Sequence, residues 1–255
     1  MTRKQVKKLQ ISLRMVGSFK ILLVGLLVLV SNSLFAETLS RPTVIFVHGS
    51  PATGAQFHSF VNSHELRNEA FLVAPDRPGY GGEIQDKSFY DFADQVKSLL
   101  THINAYPGRI ILVGYSYGAI VAMKAAQIAS QKIESLVLIS GIYSPSYVAD
   151  RWFNEPMTML LPSSEIMSRY YRQSYREIIN TASDAAHTMK GLSQIKARMF
   201  VVHGENDSMT PAQSVNLLAS LNPTVYIRKN LPHNLVKKDA DFIKGLLLQI
   251  IHSKE

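Results

Sequence analysis

Gly114-Tyr115-Ser116-Tyr117-Gly118 sets a serine between two glycines in the pattern G-x-S-x-G. In such a segment the serine sits on a sharp turn between a strand and a helix. Only glycine fits on either side, and the hydroxyl is pushed clear of the sheet. The bare pattern is weak, but its setting strengthens it: Arg109–Val113 (RIILV) reads as a strand directly before it and Ala119 onward as a helix. A serine hydroxyl is a poor nucleophile at neutral pH and needs a base to take its proton, a task for which histidine is suited. Eight histidines are available: His48, His58, His64, His102, His187, His203, His233 and His252. Where a triad runs in the order serine, acid, histidine, the base follows the last strand, and only His233 lies between the apolar run Thr224–Ile227 and the final amphipathic segment. His252 falls at the carboxyl end, where a solvated side chain is expected. His48 and His203 each close a strand-like run and precede a glycine, so both are expected to hydrogen-bond a strand end.

The acid must accept a hydrogen bond from the far ring nitrogen, orienting the imidazole and stabilising its positive charge. Asp207, in His203-Gly204-Glu205-Asn206-Asp207, is the expected partner, with Glu205 of the same loop as the competitor. Asp76 precedes the serine and is expected to brace its own loop. Attack on a carbonyl creates an oxyanion that needs two amide hydrogens already aimed at it. The loop His48-Gly49-Ser50-Pro51 offers the amide of Ser50, and the residue after the nucleophile offers that of Tyr117; Pro51 has no N–H to give. The alternative for HGSP is a tight turn without a further role. No metal-ligand cluster, phosphate-binding glycine loop or nucleotide fingerprint is visible, so no cofactor or metal is expected.

These residues need a scaffold. Six apolar runs read as strands: Thr43–Val47, Phe71–Ala74, Arg109–Val113, Ser135–Ile139, Arg198–Val202 and Thr224–Ile227. They alternate with amphipathic segments, the pattern of a mostly parallel sheet flanked by helices on both faces. Phe89, Phe92, Val96, Leu99, Leu100 and Ile103 recur at helical spacing behind Ser88 and Asp91 as a capping pair. Thr210-Pro211 opens another helix, and Phe242, Ile243, Leu246, Leu247, Ile250 and Ile251 form the apolar stripe of the last. Residues from about 143 to 195 lack a strand-like run and read as a helical insertion. There Arg169, Arg172 and Arg176 share one helical face, either attracting an anionic group or standing as a solvated row balanced by Glu165 and Glu177. Met157, Met159 and Met167 either line an adaptable acyl pocket or pack the insertion on the core.

HGSP, DRPGYGG, GYSYG, HGENDSMTP and LPHN, in this order and at these separations, resemble the α/β-hydrolase superfamily over about Thr43–Ile251 outside the insertion. DRPGYGG is especially similar to the branch holding epoxide hydrolases, haloalkane dehalogenases and small esterases. The resemblance implies an α/β-hydrolase fold with the insertion as a cap over the active site. Dehalogenases and epoxide hydrolases of that branch carry an aspartate where this chain has Ser116, which points instead to acyl transfer through a serine ester. The antiparallel strands that open the full family fold are not expected, since no strand pattern precedes Thr43.

Composition narrows the setting. With 46% apolar and 18% charged residues the chain has the profile of a packed globule. Of its +8 net charge, six units come from Arg3, Lys4, Lys7, Lys8, Arg14 and Lys20, in a stretch without an acid. The body is near neutral, which argues against a nucleic-acid partner. That basic stretch, the apolar run Ile21–Val30 and Ser31–Ala36 follow the order of a secretory signal, so residues 1–36 are expected to be a signal peptide cleaved after Ala36 and 37–255 one domain. The alternative is an uncleaved anchor in the inner membrane, the one membrane contact foreseen; otherwise the protein is periplasmic or secreted. With no cysteine, the core alone must stabilise the fold. The expected activity is a serine hydrolase of the carboxylesterase type acting on a small-molecule acyl substrate; the alternative is a non-catalytic binding protein of the same fold. Because His233 must be neutral to accept a proton, acylation is expected to rise with pH across the imidazole range.

Overall fold

A computed structural model describes residues 41–82, 89–144 and 165–253, with side chains from Arg169 onward in the last stretch. The segment read as a signal peptide, Ser88, Trp152, Phe153, Met157 and Met159 lie outside the described residues, as does the side chain of Met167. Among the described residues no helix is long and apolar enough to cross a membrane.

Six parallel strands form one sheet: β1 (Thr43–Val47), β2 (Phe71–Val73), β3 (Ile110–Tyr115), β4 (Ile133–Ile139), β5 (Arg198–Gly204) and β6 (Thr224–Arg228), in the order β2-β1-β3-β4-β5-β6. The continuous apolar runs of the inner strands β1, β3 and β4 arise because both faces are covered there, so successive side chains enter different cores, whereas the edge strands β2 and β6 stay partly exposed. Ile45, Val47, Leu112 and Leu138 pack on one side with helices α1 (Phe92–Ala105) and α2 (Tyr117–Ile128). Val44, Phe46, Val113 and Ile139 pack on the other, against Phe57, Phe60 and the stripe of helix α4 (Ala240–His252), whose Ile243, Leu246, Leu247, Ile250 and Ile251 are all buried. The chain leaves β1 toward β2 on one side and reaches β3 on the other. The carboxyl ends of β1 and β3 therefore flank the point where strand order reverses, where open parallel sheets form their crevice.

Three elements depart from expectation. Asp91 caps α1 in a reciprocal pair with Asp94, each carboxylate accepting the other's backbone N–H, a partner that the sequence reading does not name. The segment after Pro211 is a 3₁₀ helix, Ala212–Leu221, and Thr210 spends its hydroxyl on Asp207 rather than on that helix. Within the insertion, helix α3 (Glu165–Met189) is amphipathic in an unexpected sense. Arg169, Arg172 and Arg176 are exposed, but Glu177 is buried on the other face with Gln173, Ser174, Thr181 and Thr188. Glu177 therefore does not balance the arginine row; it belongs to a polar face turned into the protein.

Candidate active site

The glycine requirement around Ser116 is steric and specific. A Cβ on Gly114 would stand 2.7 Å from the Ala119 Cα, and one on Gly118 would lie 2.3 Å from the Val47 carbonyl oxygen. Between them Ser116 takes φ 54°, ψ −121°, a conformation costly for a residue with a side chain. Its amide is tied to the Ile139 carbonyl at 3.0 Å, which fixes the turn to the end of β4. Helix α2 then starts at Tyr117, whose amide, as the first in the helix, has no acceptor within it.

His233 reaches Ser116 from the loop after β6. The loop comes this close because Gly204 ends β5: a Cβ there would lie 2.4 Å from the Leu231 carbonyl oxygen. The Ser140 hydroxyl donates to the His233 carbonyl at 2.8 Å, and the Tyr115 ring lies 5.3 Å from the imidazole. The Nε2 of His233 is 3.0 Å from Ser116 Oγ, and its Nδ1 is 2.8 Å from Asp207 Oδ2. Asp207 is itself anchored: Oδ1 accepts the amides of Met209 and Thr210 at 2.9 and 2.8 Å, and Oδ2 accepts the Thr210 hydroxyl at 2.8 Å. Burial alone would raise the Asp207 pKa, but hydrogen bonds from His203, His233 and Thr210 outweigh it and hold the carboxyl well below the usual range. An ionised Asp207 can only accept, so His233 carries its proton on Nδ1 and turns the lone pair of Nε2 to the serine hydroxyl. Glu205 points elsewhere, its carboxylate accepting the Asn230 amide at 2.9 Å in an exposed turn.

The remaining expected residues surround this line. Gly49 stands against Ser116, a Cβ there meeting Ser116 Cβ at 3.1 Å, so Ser50 lies one residue from the serine contact. Asp76 braces its loop, accepting the amides of Gly54 at 2.7 Å and Gly82 at 3.0 Å. His48 accepts the Arg77 amide on Nε2 at 2.9 Å and donates from Nδ1 to the Gly49 carbonyl at 2.8 Å, so both ring nitrogens are used within the loops at the sheet end. Burial, and secondarily Arg77, lowers its pKa and keeps it neutral. His203 donates from Nε2 to the Thr210 carbonyl and lies 3.3 Å from Asp207 Oδ2, so it serves the acid's loop rather than the strand end alone. Thr210, Ser140 and Tyr115 were not singled out as site residues. The local signal in this group is Asp207 itself, since an aspartate commonly accepts the amide two residues on in a turn, here that of Met209. Among the described residues no group of three or more His, Asp or Glu side chains could hold a metal ion.

Residues 44–236 match the model of the alpha/beta hydrolase family, and the chain belongs to that family. It is 25% identical over 162 residues, 61% of this chain, to the pimeloyl-[acyl-carrier protein] methyl ester esterase of Aeromonas hydrophila, of whose length it spans 59%. It is 28% identical over 196 residues, 73% of this chain and 72% of the relative, to the protein of the same description from Chromobacterium violaceum. Among solved structures, the monoacylglycerol lipase of Paleococcus ferrophilus superposes with a TM-score of 0.65 at 16% identity, covering 83% of this chain and 96% of that one, a likeness of fold.

Proposed function

We propose that this chain is a serine hydrolase that cleaves a carboxylic ester-like bond through an acyl-enzyme. In this reading Ser116 Oγ attacks the ester carbonyl carbon while His233 Nε2 takes the hydroxyl proton. The amides of Ser50 and Tyr117 hold the oxyanion of the tetrahedral intermediate, and Asp207 stabilises the imidazolium. As the carbonyl re-forms, His233 returns the proton to the departing alcohol, leaving an acyl ester on Ser116. Water then attacks with the same base, and the acid leaves with Ser116 restored. The observation that carries the reading is the continuous line of contacts from Ser116 Oγ through both ring nitrogens of His233 to Asp207. The methyl ester esterase activity named for two relatives supports an ester over an amide and puts acyl methyl esters among the substrates to test. Export through the segment 1–36 is part of the proposal, and amino-terminal sequencing of exported protein, expected to begin at Glu37, tests it.

Labelling with a fluorophosphonate and cleavage of a panel of aryl and methyl esters of varied acyl length test the chemistry. Wild type is expected to label and to turn over; Ser116→Ala is expected to lose labelling and His233→Ala to lose most of it. Labelling that survives Ser116→Ala would reject the assignment. A wild type that neither labels nor hydrolyses any ester would favour a binding protein.

A further inference from the structure

Arg77 is almost entirely buried, 4% exposed, yet it is not one of the three side chains that the proposed chemistry uses. Its Nη1 and Nη2 meet Glu177 of α3 as a two-pronged pair at 2.7 and 2.9 Å, and Glu177 is 2% exposed. The Nε donates to the His48 carbonyl at 3.0 Å, Nη2 to the Gly49 carbonyl at 3.1 Å, and Nη1 to Gln95 at 3.1 Å. The guanidinium also lies 4.9 Å from the ring centre of Tyr80 and 5.1 Å from that of Tyr117. Burial opposes its charge, but the Glu177 carboxylate more than restores it, so the cation persists.

The target of these bonds matters more than their number. A trans peptide is planar, with its carbonyl and its N–H on opposite sides, so fixing one fixes the direction of the other. The Gly49 carbonyl shares a peptide with the Ser50 N–H. Held by Arg77 Nη2 and, at 2.8 Å, by His48 Nδ1, it sets the direction in which that N–H points. The cation at the oxygen also draws electrons from the peptide and makes the N–H a stronger donor. The side chain of Ser50 is restrained in parallel, 3.0 Å from the Tyr80 hydroxyl and 3.2 Å from Ser174 of α3, while Tyr80 donates to Glu177 at 2.8 Å. The second expected donor is touched as well: Tyr117 lies on Arg77 through its ring and donates its hydroxyl to Asp184 of α3 at 2.9 Å.

We propose that Arg77, locked by Glu177, is the positioning residue that orients the Ser50 oxyanion donor, so that the seating of helix α3 and the readiness of the oxyanion site are one event. The inference rests on the serine hydrolase reading and adds to it a dependence on two charges that never touch substrate.

The test compares wild type with Arg77→Lys, Glu177→Gln and Tyr80→Phe. Glu134→Gln serves as a control, because it disrupts the Arg109 and Arg198 pairs at the amino-terminal ends of β3, β4 and β5. Each protein is titrated with fluorophosphonate to completion, and kcat and KM are measured per titrated site. Inhibition by a trifluoromethyl ketone, which adds to the serine as an oxyanion, is measured alongside. A misdirected donor is expected to lower kcat in Arg77→Lys and Glu177→Gln by about 10- to 100-fold and to weaken the ketone by a similar factor. KM should stay within about threefold, since the loss falls on the transition state. Tyr80→Phe is expected to show a smaller effect, and the control none. A pair that only stabilises the fold would lower the melting temperature and leave kcat per titrated site and ketone affinity at wild-type values, which would overturn the proposal. The 1H–15N resonances of the Ser50 and Tyr117 amides give a readout that needs no turnover. The Ser50 resonance is expected to shift in Glu177→Gln, with that of Tyr117 as the reference. An inactive wild type would sink the hydrolase reading, while an unshifted Ser50 resonance would separately sink the positioning role; if Arg77→Lys does not fold, Glu177→Gln and Tyr80→Phe decide.

Discussion

Asp207 shows how one side chain's surroundings set the chemistry available to the next two. Its carboxyl is buried and would resist ionisation, but the donors around it keep it charged, and a charged Asp207 selects the His233 tautomer that can accept from Ser116. Asp207→Asn would keep the size but offer an amide that can donate, favouring the wrong tautomer; kcat is expected to fall by about 10³- to 10⁴-fold, measured on protein whose fold is checked by circular dichroism. Asp184 shows the opposite balance. Burial pushes its pKa up to about 6; Glu177 and Asp91 act in the same direction, against the hydroxyl of Tyr117. An unfolded aspartate titrates at about 3.9. Between these values the folded chain holds a proton that the unfolded chain has released, so this group's contribution to stability is full below about pH 4 and is lost as pH rises through about 6. Asp184→Asn removes that loss, and its melting temperature relative to wild type is expected to be more favourable at pH 8 than at pH 4. An equal difference at both pH values would contradict the assignment.

The strand-turn-helix unit around Ser116 works because two elements approach within the reach of a hydrogen atom. The first turn of α2 lies against the end of β1, with the Gly118 Cα facing the Val47 and His48 carbonyls. Gly118→Ala would force backbone against backbone. We expect a loss of about 1–3 kcal/mol or more in thermal melts, together with slowed fluorophosphonate labelling, because the His48-Gly49-Ser50 loop must shift away from the nucleophile. Helix α3 teaches a different lesson. Its arginine row is exposed, as a solvated face should be, whereas Gln173, Ser174 and Glu177 are buried polar groups joined to Tyr90, Ser50 and Arg77. Helical periodicity marks two faces, but when both are polar it does not say which one water will see.

At the scale of the whole molecule, the packed cores and the proposed catalytic residues occupy different parts of the sheet. The two cores fill its faces, while the loops carrying Ser50, Ser116, Asp207 and His233 all leave its carboxyl edge. Leu247, fully buried in α4 against one face, belongs to a core alone. Leu247→Ala is expected to cost about 2–5 kcal/mol in denaturant unfolding and to leave kcat per titrated site unchanged. A matching loss in kcat would show that core and site are not separable in this way.

Six apolar runs, the alternation with amphipathic segments and the glycines around Ser116 determine the parallel sheet and the strained turn, because burial and steric exclusion act between near neighbours in the chain and leave a local imprint. Sequence favours Asp207 over Glu205 as the acid facing His233, but both leave β5 in one loop and only the path of the chain around Gly204 separates their reach. The partnership of Arg77 with Glu177 had no local signal at all. They stand 100 positions apart in the chain, and a charged residue on a helix reads as solvated until the fold removes the water and brings an opposite charge to meet it.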